Sequence, residues 1–189
     1  DFPFFEEMEL GAWVTEIFED SDGNVYFAAS NRGFVVLTAD NQVIKKYGTG
    51  LQKQVDDFFK KEKNATPFDG NIKVIGFREV AKNNISIITS HAEYSFNPET
   101  RKITLQKLYS NQVSQIHYFN NEQILATHSK HSSKIFLYKN NDFEPYYDGS
   151  ELSRGNLLPL DVNEKGQLLL GTLGNGLYEI DDFFESPKA

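Results

Sequence analysis

Cysteine is absent from this chain of 189 residues. Its absence excludes disulfides, zinc sites built on thiolates and any thiol nucleophile. That suits an exported protein that avoids thiols, and equally many cytosolic ones. Tryptophan and methionine each occur once. No apolar run approaches the ~20 residues a membrane-spanning helix needs, so a membrane would be reached only through segments absent here. The opening, with Asp1-Phe2-Pro3 and Glu6-Glu7, does not read as a signal peptide, whose first stretch is basic. Positive charge is also scarce. The 19 Lys and Arg stand against 27 Asp and Glu, a net charge of −8. No basic stripe exists to displace the counterions of a phosphate backbone, which argues against nucleic acid as a partner. The acidity itself implies little beyond solubility.

Aromatic residues are plentiful instead, with 16 Phe and 9 Tyr. The mean hydropathy of −0.49 fits a folded, β-leaning chain long enough for a real core. Its organising feature is a segment that occurs twice. Val14–Leu37 and Leu157–Ile180 align without a gap when Gly23 is laid on Gly166, an offset of 143. Val14 then falls on Leu157, Ile17 on Leu160, Phe27 on Leu170, Gly33 on Gly176, Phe34 on Leu177 and Leu37 on Ile180. Each copy reads as three short strands joined by polar Asp, Asn and Gly turns, the strongest local hairpin signal. Two weaker copies lie between, Val74–Phe96 and Val113–Tyr138. Fourth strands are expected at Val43–Tyr47, Ile103–Leu108 and Phe143–Tyr147. The turn positions 23, 84, 122 and 166 give a period of roughly forty residues, that of β-propeller blades.

The residues Val14, Ile17, Glu19-Asp20, Gly23-Asn24, Tyr26-Phe27, Ala28-Ala29, Asn31 and Gly33 carry a pattern that resembles the repeat of the two-component-regulator propeller family. Gly166, Leu170, Gly171-Thr172 and Asn175-Gly176-Leu177 carry it in the last copy. Tyr26 departs from the family's usual Trp, and Ala28-Ala29 from its usual Gly-Thr. The resemblance implies the periplasmic or cell-envelope (extracytoplasmic) sensory portion of a bacterial hybrid histidine kinase, many of which respond to oligosaccharides. The same repeats occur in other cell-envelope proteins. The kinase itself would lie outside this chain.

The expected architecture is therefore all-β: about four four-stranded propeller blades over residues 1–189. Blade limits fall near 11–50, 69–109, 110–149 and 153–185. The lead-in of residues 1–12, with Phe2, Phe4, Phe5 and Leu10, suits the outer strand of a neighbouring blade. Between the first two blades, residues 51–64 break the β pattern. Leu51, Val55, Phe58 and Phe59 recur at helical spacing, with Asp56-Asp57 towards the start and Lys60, Lys61 and Lys63 towards the end, as the macrodipole favours. Such an amphipathic helix is either a docking element or an insertion packed on the rim. An open arc of four blades leaves two apolar faces bare, each forgoing on the order of 10 kcal/mol. The four blades are thus expected either to close into a small ring or to be a piece of a larger propeller that pairs with its remaining blades or with itself. The lead-in favours the piece.

Chemistry is sparse. His128 and His131 sit in a loop with Ser129, Ser132 and Ser133, without the helix that would present the two imidazoles to a metal and without a nucleophile elbow. Glu19–Asn24 has calcium-loop residues but not the EF-hand spacing, and a hairpin turn accounts for it. Gly171–Gly176 lacks a phosphate-loop Lys and repeats Ala28–Gly33, so it too is a turn. Asn64–Thr66 and Asn84–Ser86 match glycosylation acceptors by chance. Trp13 suits either sugar stacking or packing at a blade end. No residue is assigned a catalytic, cofactor-binding or metal-binding role, and no ligand-binding residue is named. Three functions remain open: a non-enzymatic sensor segment, an assembly propeller presenting a protein-binding surface, and a propeller lyase or hydrolase. For the last, Asp20, Asp22, His128 and Asp161 are scattered rather than convergent.

Overall fold

A computed structural model describes residues 14–29, 33–40, 43–47, 49–61, 73–119, 123–127, 133–152, 157–172 and 174–184. Residues 1–13 with Trp13, the loop holding His128 and His131, and Asn64–Thr66 lie outside them. The described chain is all-β apart from one helix and forms four antiparallel meander sheets, the pattern of propeller blades. The first comprises β1 (Val14–Glu19), β2 (Val25–Ala29), β3 (Gly33–Leu37) and β4 (Val43–Tyr47). The second comprises β5 (Val74–Ala81), β6 (Asn84–Thr89), β7 (Ala92–Asn97) and β8 (Lys102–Leu108). The third comprises β9 (Gln115–Phe119), β10 (Gln123–Thr127), β11 (Lys134–Lys139) and β12 (Asp142–Asp148). The fourth has three strands among the described residues, β13 (Leu157–Val162), β14 (Leu168–Thr172) and β15 (Gly176–Ile180). Beyond β15 the chain turns at Asp181–Phe184, where Asp182 has φ +50° and Phe183 is buried.

Two compact units divide the chain, Asp1–Leu108 and Tyr109–Ala189, with two sheets in each. In the first unit the sheets pack face to face. Phe18, Tyr26, Ala28, Phe34 and Val36 of the first sheet meet Val74, Phe77, Ile85, Ile87, Tyr94 and Phe96 of the second. Phe34 stands edge-on to Phe77 and Phe96, with centroids 5.7 and 5.4 Å away, and Phe18 stacks on Phe77 at 6.3 Å. The period-2 alternation of each strand divides its side chains between two faces. We call the face of the first sheet that meets the second its forward face, and the face that receives it on the second sheet a rear face. Ile17, Val25, Phe27, Val35 and Leu37 lie on the rear face of the first sheet, opposite one another in the register. The second unit has its own core, in which Phe119, Leu125 and Ile135 of the third sheet pack with Leu157, Leu168 and Leu170 of the fourth.

Helix α1 (Thr49–Lys61) starts two residues before the expected Leu51. That start leaves Asp56-Asp57 in mid-helix and no acid in the first turn, while Lys60 and Lys61 do lie in the last. The expected dipole complement is therefore present at one end only. Leu51 and Val55 are buried in the first unit's core, and Tyr94 Oη donates to the Leu51 carbonyl at 3.2 Å. Gln54 reaches the outer strand of the second sheet. Its Oε1 accepts from Leu105 N–H at 2.7 Å and its Nε2 donates to the Ile103 carbonyl at 3.2 Å. One side-chain amide thus satisfies an edge donor and an edge acceptor that β8 would otherwise present to solvent. The helix is a rim insertion rather than a free lid.

Phe34 is 1% exposed at the centre of the aromatic cluster. Phe34→Ala should destabilise the protein by about 3–5 kcal/mol in urea unfolding. A loss below about 1 kcal/mol would mean that this inter-sheet contact is not what holds the first unit together.

Candidate functional site

The two strong copies are built alike down to individual bonds. Gly23 and Gly166 have φ of +79° and +77°, which a residue with a Cβ adopts only at some cost. Gly23 N–H donates to the Asp20 carbonyl at 3.0 Å, and Gly166 N–H to the Asn163 carbonyl at 2.9 Å. Asp20 Oδ1 accepts from the backbone of Asp22 and Asn24, and Asn163 Oδ1 accepts likewise from Lys165 and Gln167. The β2–β3 and β14–β15 pairs agree throughout, so that Ala28–Phe34 matches Gly171–Leu177. In the β1–β2 and β13–β14 pairs Phe18–Tyr26 matches Asp161–Leu169, but the bulge lies between Val14 and Glu16 in one copy and between Pro159 and Asp161 in the other. The second sheet keeps the scheme with Asn83 at φ +60° in the place of Gly23, one residue before the Asn84 expected from the sequence. Asn84 begins β6 instead.

Asp20 is nearly buried, and its carboxylate is fully engaged by the turn. Besides the two backbone donors, Asn24 Nδ2 donates to it at 2.9 Å and Tyr26 Oη at 2.8 Å. Burial first, and then the Asp20 carboxylate, raise the Tyr26 phenol well above its ordinary range. The calcium-like residues of Glu19–Asn24 are thus the internal wiring of a hairpin. Around them a clasp joins the first two sheets. Glu79 Oε1 accepts from Ser21 Oγ at 2.6 Å, Glu79 Oε2 accepts from Ser21 N–H at 2.9 Å, and Lys82 Nζ lies 3.0 Å from Asp22 Oδ1. Glu79 and Lys82 escaped the sequence reading, although Glu79 occupies the place of Glu19 when the copies are overlaid.

The remaining candidates do not converge. Asp161 is exposed on β13, where it accepts from its neighbour Val162 N–H. Gly174 and Gly176 have φ of +97° and +90° in the β14–β15 hairpin, with open space around both, so the GTLGNG stretch is a turn and no cradle. Asn84 Oδ1 accepts from Ser95 Oγ, and Ser86 is buried with its hydroxyl on Glu93, which closes that glycosylation acceptor. Ser133 Oγ lies 3.5 Å from Asp148. A Ser–His contact does occur at Ser90 Oγ and His91 Nδ1, 2.6 Å apart. Ser90 is buried in a tight turn beside the His, so no substrate carbonyl can reach its hydroxyl. Among the described residues no group of acids and His could hold a metal ion.

What the fourth sheet offers is a surface. Its forward face carries Asp161, Leu169, Leu177 and Glu179 where the first sheet has Phe18, Tyr26, Phe34 and Val36. Leu177 is 61% exposed there, against 1% for Phe34. Two carboxylates and two leucines thus replace a buried aromatic row. In the third sheet His117 holds the place of Phe18, 6.5 Å from the Phe119 ring, and its Nε2 is buried without a hydrogen-bond partner among the described residues. Burial lowers its pKa.

No family profile matches the chain, and no curated protein sequence does. Solved structures do match. The extracellular domain of BT3049 from B. thetaiotaomicron, described as a hybrid two-component system, is 20% identical with a TM-score of 0.54, over 93% of this chain and 23% of that one. The extracellular domain of BT4673, from the same organism and also described as a hybrid two-component system, is 14% identical with a TM-score of 0.49, over 88% of this chain and 21% of that one. YCF48 bound to D1 peptide is 9% identical with a TM-score of 0.56, over 90% of this chain and 51% of that one. The chain therefore spans under a quarter of the sensor domains it resembles. At these identities the likeness establishes the class of fold, that of propeller blades.

Two variants test this wiring. Asp20→Ala should cost about 2–4 kcal/mol in chemical unfolding, because several turn donors lose their acceptor. Asp20→Asn should stay within about 1 kcal/mol of the parent, since Asn163 organises the matching turn as an amide. For His117 the folded pKa lies below that of the unfolded chain, about 6.5. The unfolded state therefore binds the proton first, and stability is lost as pH falls through 6.5 towards the folded value. His117→Phe should abolish that portion of the pH dependence, and an unchanged slope below neutrality would show that His117 is not its source.

Proposed function

We propose that the chain is a non-enzymatic ligand-recognition segment of an extracytoplasmic sensor in a two-component signalling receptor, and that its ligand is an oligosaccharide. The repeat pattern carried by Gly23-Asn24, Asn31-x-Gly33 and their counterparts supports this reading, together with the structural likeness to the BT3049 extracellular domain. The observation that carries it is the identical wiring of the two hairpins, which makes the repeat a structural unit and not a coincidence of residues. A propeller places its variable polar residues on loops at the blade ends, where a ligand would be held. Ligand binding would favour one arrangement of the receptor over another and pass that preference across the membrane. No described helix is long and apolar enough to cross a membrane, so transmission would use other segments. The self-satisfied turns and scattered acids support recognition over catalysis.

A second reading, an assembly propeller of the cell envelope, draws on one feature: the exposed forward face of β13–β15 with Leu177, Asp161 and Glu179. The likeness to YCF48 bound to D1 peptide is compatible with it.

Thermal unfolding with a panel of oligosaccharides decides between them. A cognate glycan at about a hundred times its dissociation constant should stabilise by about 2.7 kcal/mol, several degrees in Tm, and emerge uncleaved. Cleavage of the glycan would overturn the non-enzymatic reading. A panel without any shift, alongside capture of an envelope protein through the Leu177 face, would favour the second.

A further inference from the structure

Independently of any ligand, the contact inside the first unit can be carried over to the faces left bare. Phe34 on the forward face of the first sheet meets Phe77 on the rear face of the second. Leu177 holds the place of Phe34 in the fourth sheet, and Ile17 holds the place of Phe77 in the first. Leu177 and Ile17 are the two most exposed large apolar residues among those described, each at 61%. Both halves of a contact made inside the first unit thus stand uncovered at matching positions. The charges carry over as well. Asp22 pairs with Lys82 across the first contact. In the fourth sheet Lys165 holds the place of Asp22, while Asp22 itself holds the place of Lys82, so the pair returns with its signs exchanged.

We propose that the chain associates with itself head to tail, the forward face of β13–β15 in one copy packing on the rear face of β1–β4 in a second copy. Leu177 and Leu169 of the first copy then meet Ile17 and Leu37 of the second, and Lys165 meets Asp22. One pair opposes the contact: Glu164, in the place of Ser21, faces Glu19, in the place of Glu79. Together with the half-polar forward face, it makes this a reversible association. A heterologous contact of this kind either closes into a ring or propagates.

Sedimentation velocity over roughly a hundredfold range of concentration tests it, with the chain as it stands. The mass should grow with concentration. Leu177→Lys and Ile17→Lys should each weaken association by about tenfold or more while leaving the circular-dichroism melt unchanged, because both side chains are exposed. Lys165→Asp should weaken it, whereas Glu164→Ser should tighten it. A protein that stays monomeric throughout overturns the proposal and leaves the face to a different chain. So does an assembly indifferent to both lysine variants. Sensitivity to only one of them replaces the head-to-tail contact with a symmetric one.

Discussion

A four-stranded meander cannot bury both of its own faces, and the rest of this structure follows from that constraint. Each sheet here is short and carries apolar residues on both sides, so a neighbour that covers a face stabilises it. In the first unit the solution is an aromatic cluster of Phe18, Tyr26, Phe34, Phe77 and Phe96 between two sheets. The second unit solves the same problem with Leu125, Ile135, Leu157, Leu168 and Leu170, joined by the rings of Phe119 and Phe183. The hairpin turns set the register, and the register decides which residues reach the covered face. A slip of one residue would exchange Phe34 for Val35 and move the whole aromatic row to the wrong side.

Much of this was legible in the sequence because turn chemistry and alternation are local signals. Gly23, Gly166, Asn83 and the Asn140-Asn141 pair all have the positive φ their residue types favour. The first fourth strand, Val43–Tyr47, lies where the spacing puts it. The three-stranded fourth sheet was less legible. Asp181-Asp182-Phe183-Phe184 looks like an ordinary strand end, and only the tertiary burial of Phe183 makes it a turn folded into a core. The start of α1 was missed for a similar reason, as Thr49-Gly50 has poor helix propensity and is helical through its context.

Sites were harder to read than elements. The acids that attracted notice, Asp20 and Asp22, work as a turn organiser and half of a clasp. The residues that complete the clasp, Glu79 and Lys82, lie far off in sequence and carry no motif. His117 was passed over because an isolated His in a strand has no local signal. Its interest appears only when its place is compared with that of Phe18. What distinguishes the copies is therefore not their pattern, which is shared, but what stands at one position of it: a stacked ring in one sheet, an imidazole in another and a carboxylate in a third.

The amide of Gln54 has a consequence for the ageing of the molecule. It is held to β8 by offering a donor and an acceptor together, and among side chains of its length no carboxylate can do both at neutral pH. Spontaneous deamidation there would change a single atom group, yet it would set an anion against the Ile103 carbonyl and loosen the helix from the strand it shields. Chemical wear at one surface-facing glutamine would then reopen a sheet edge for pairing with other chains.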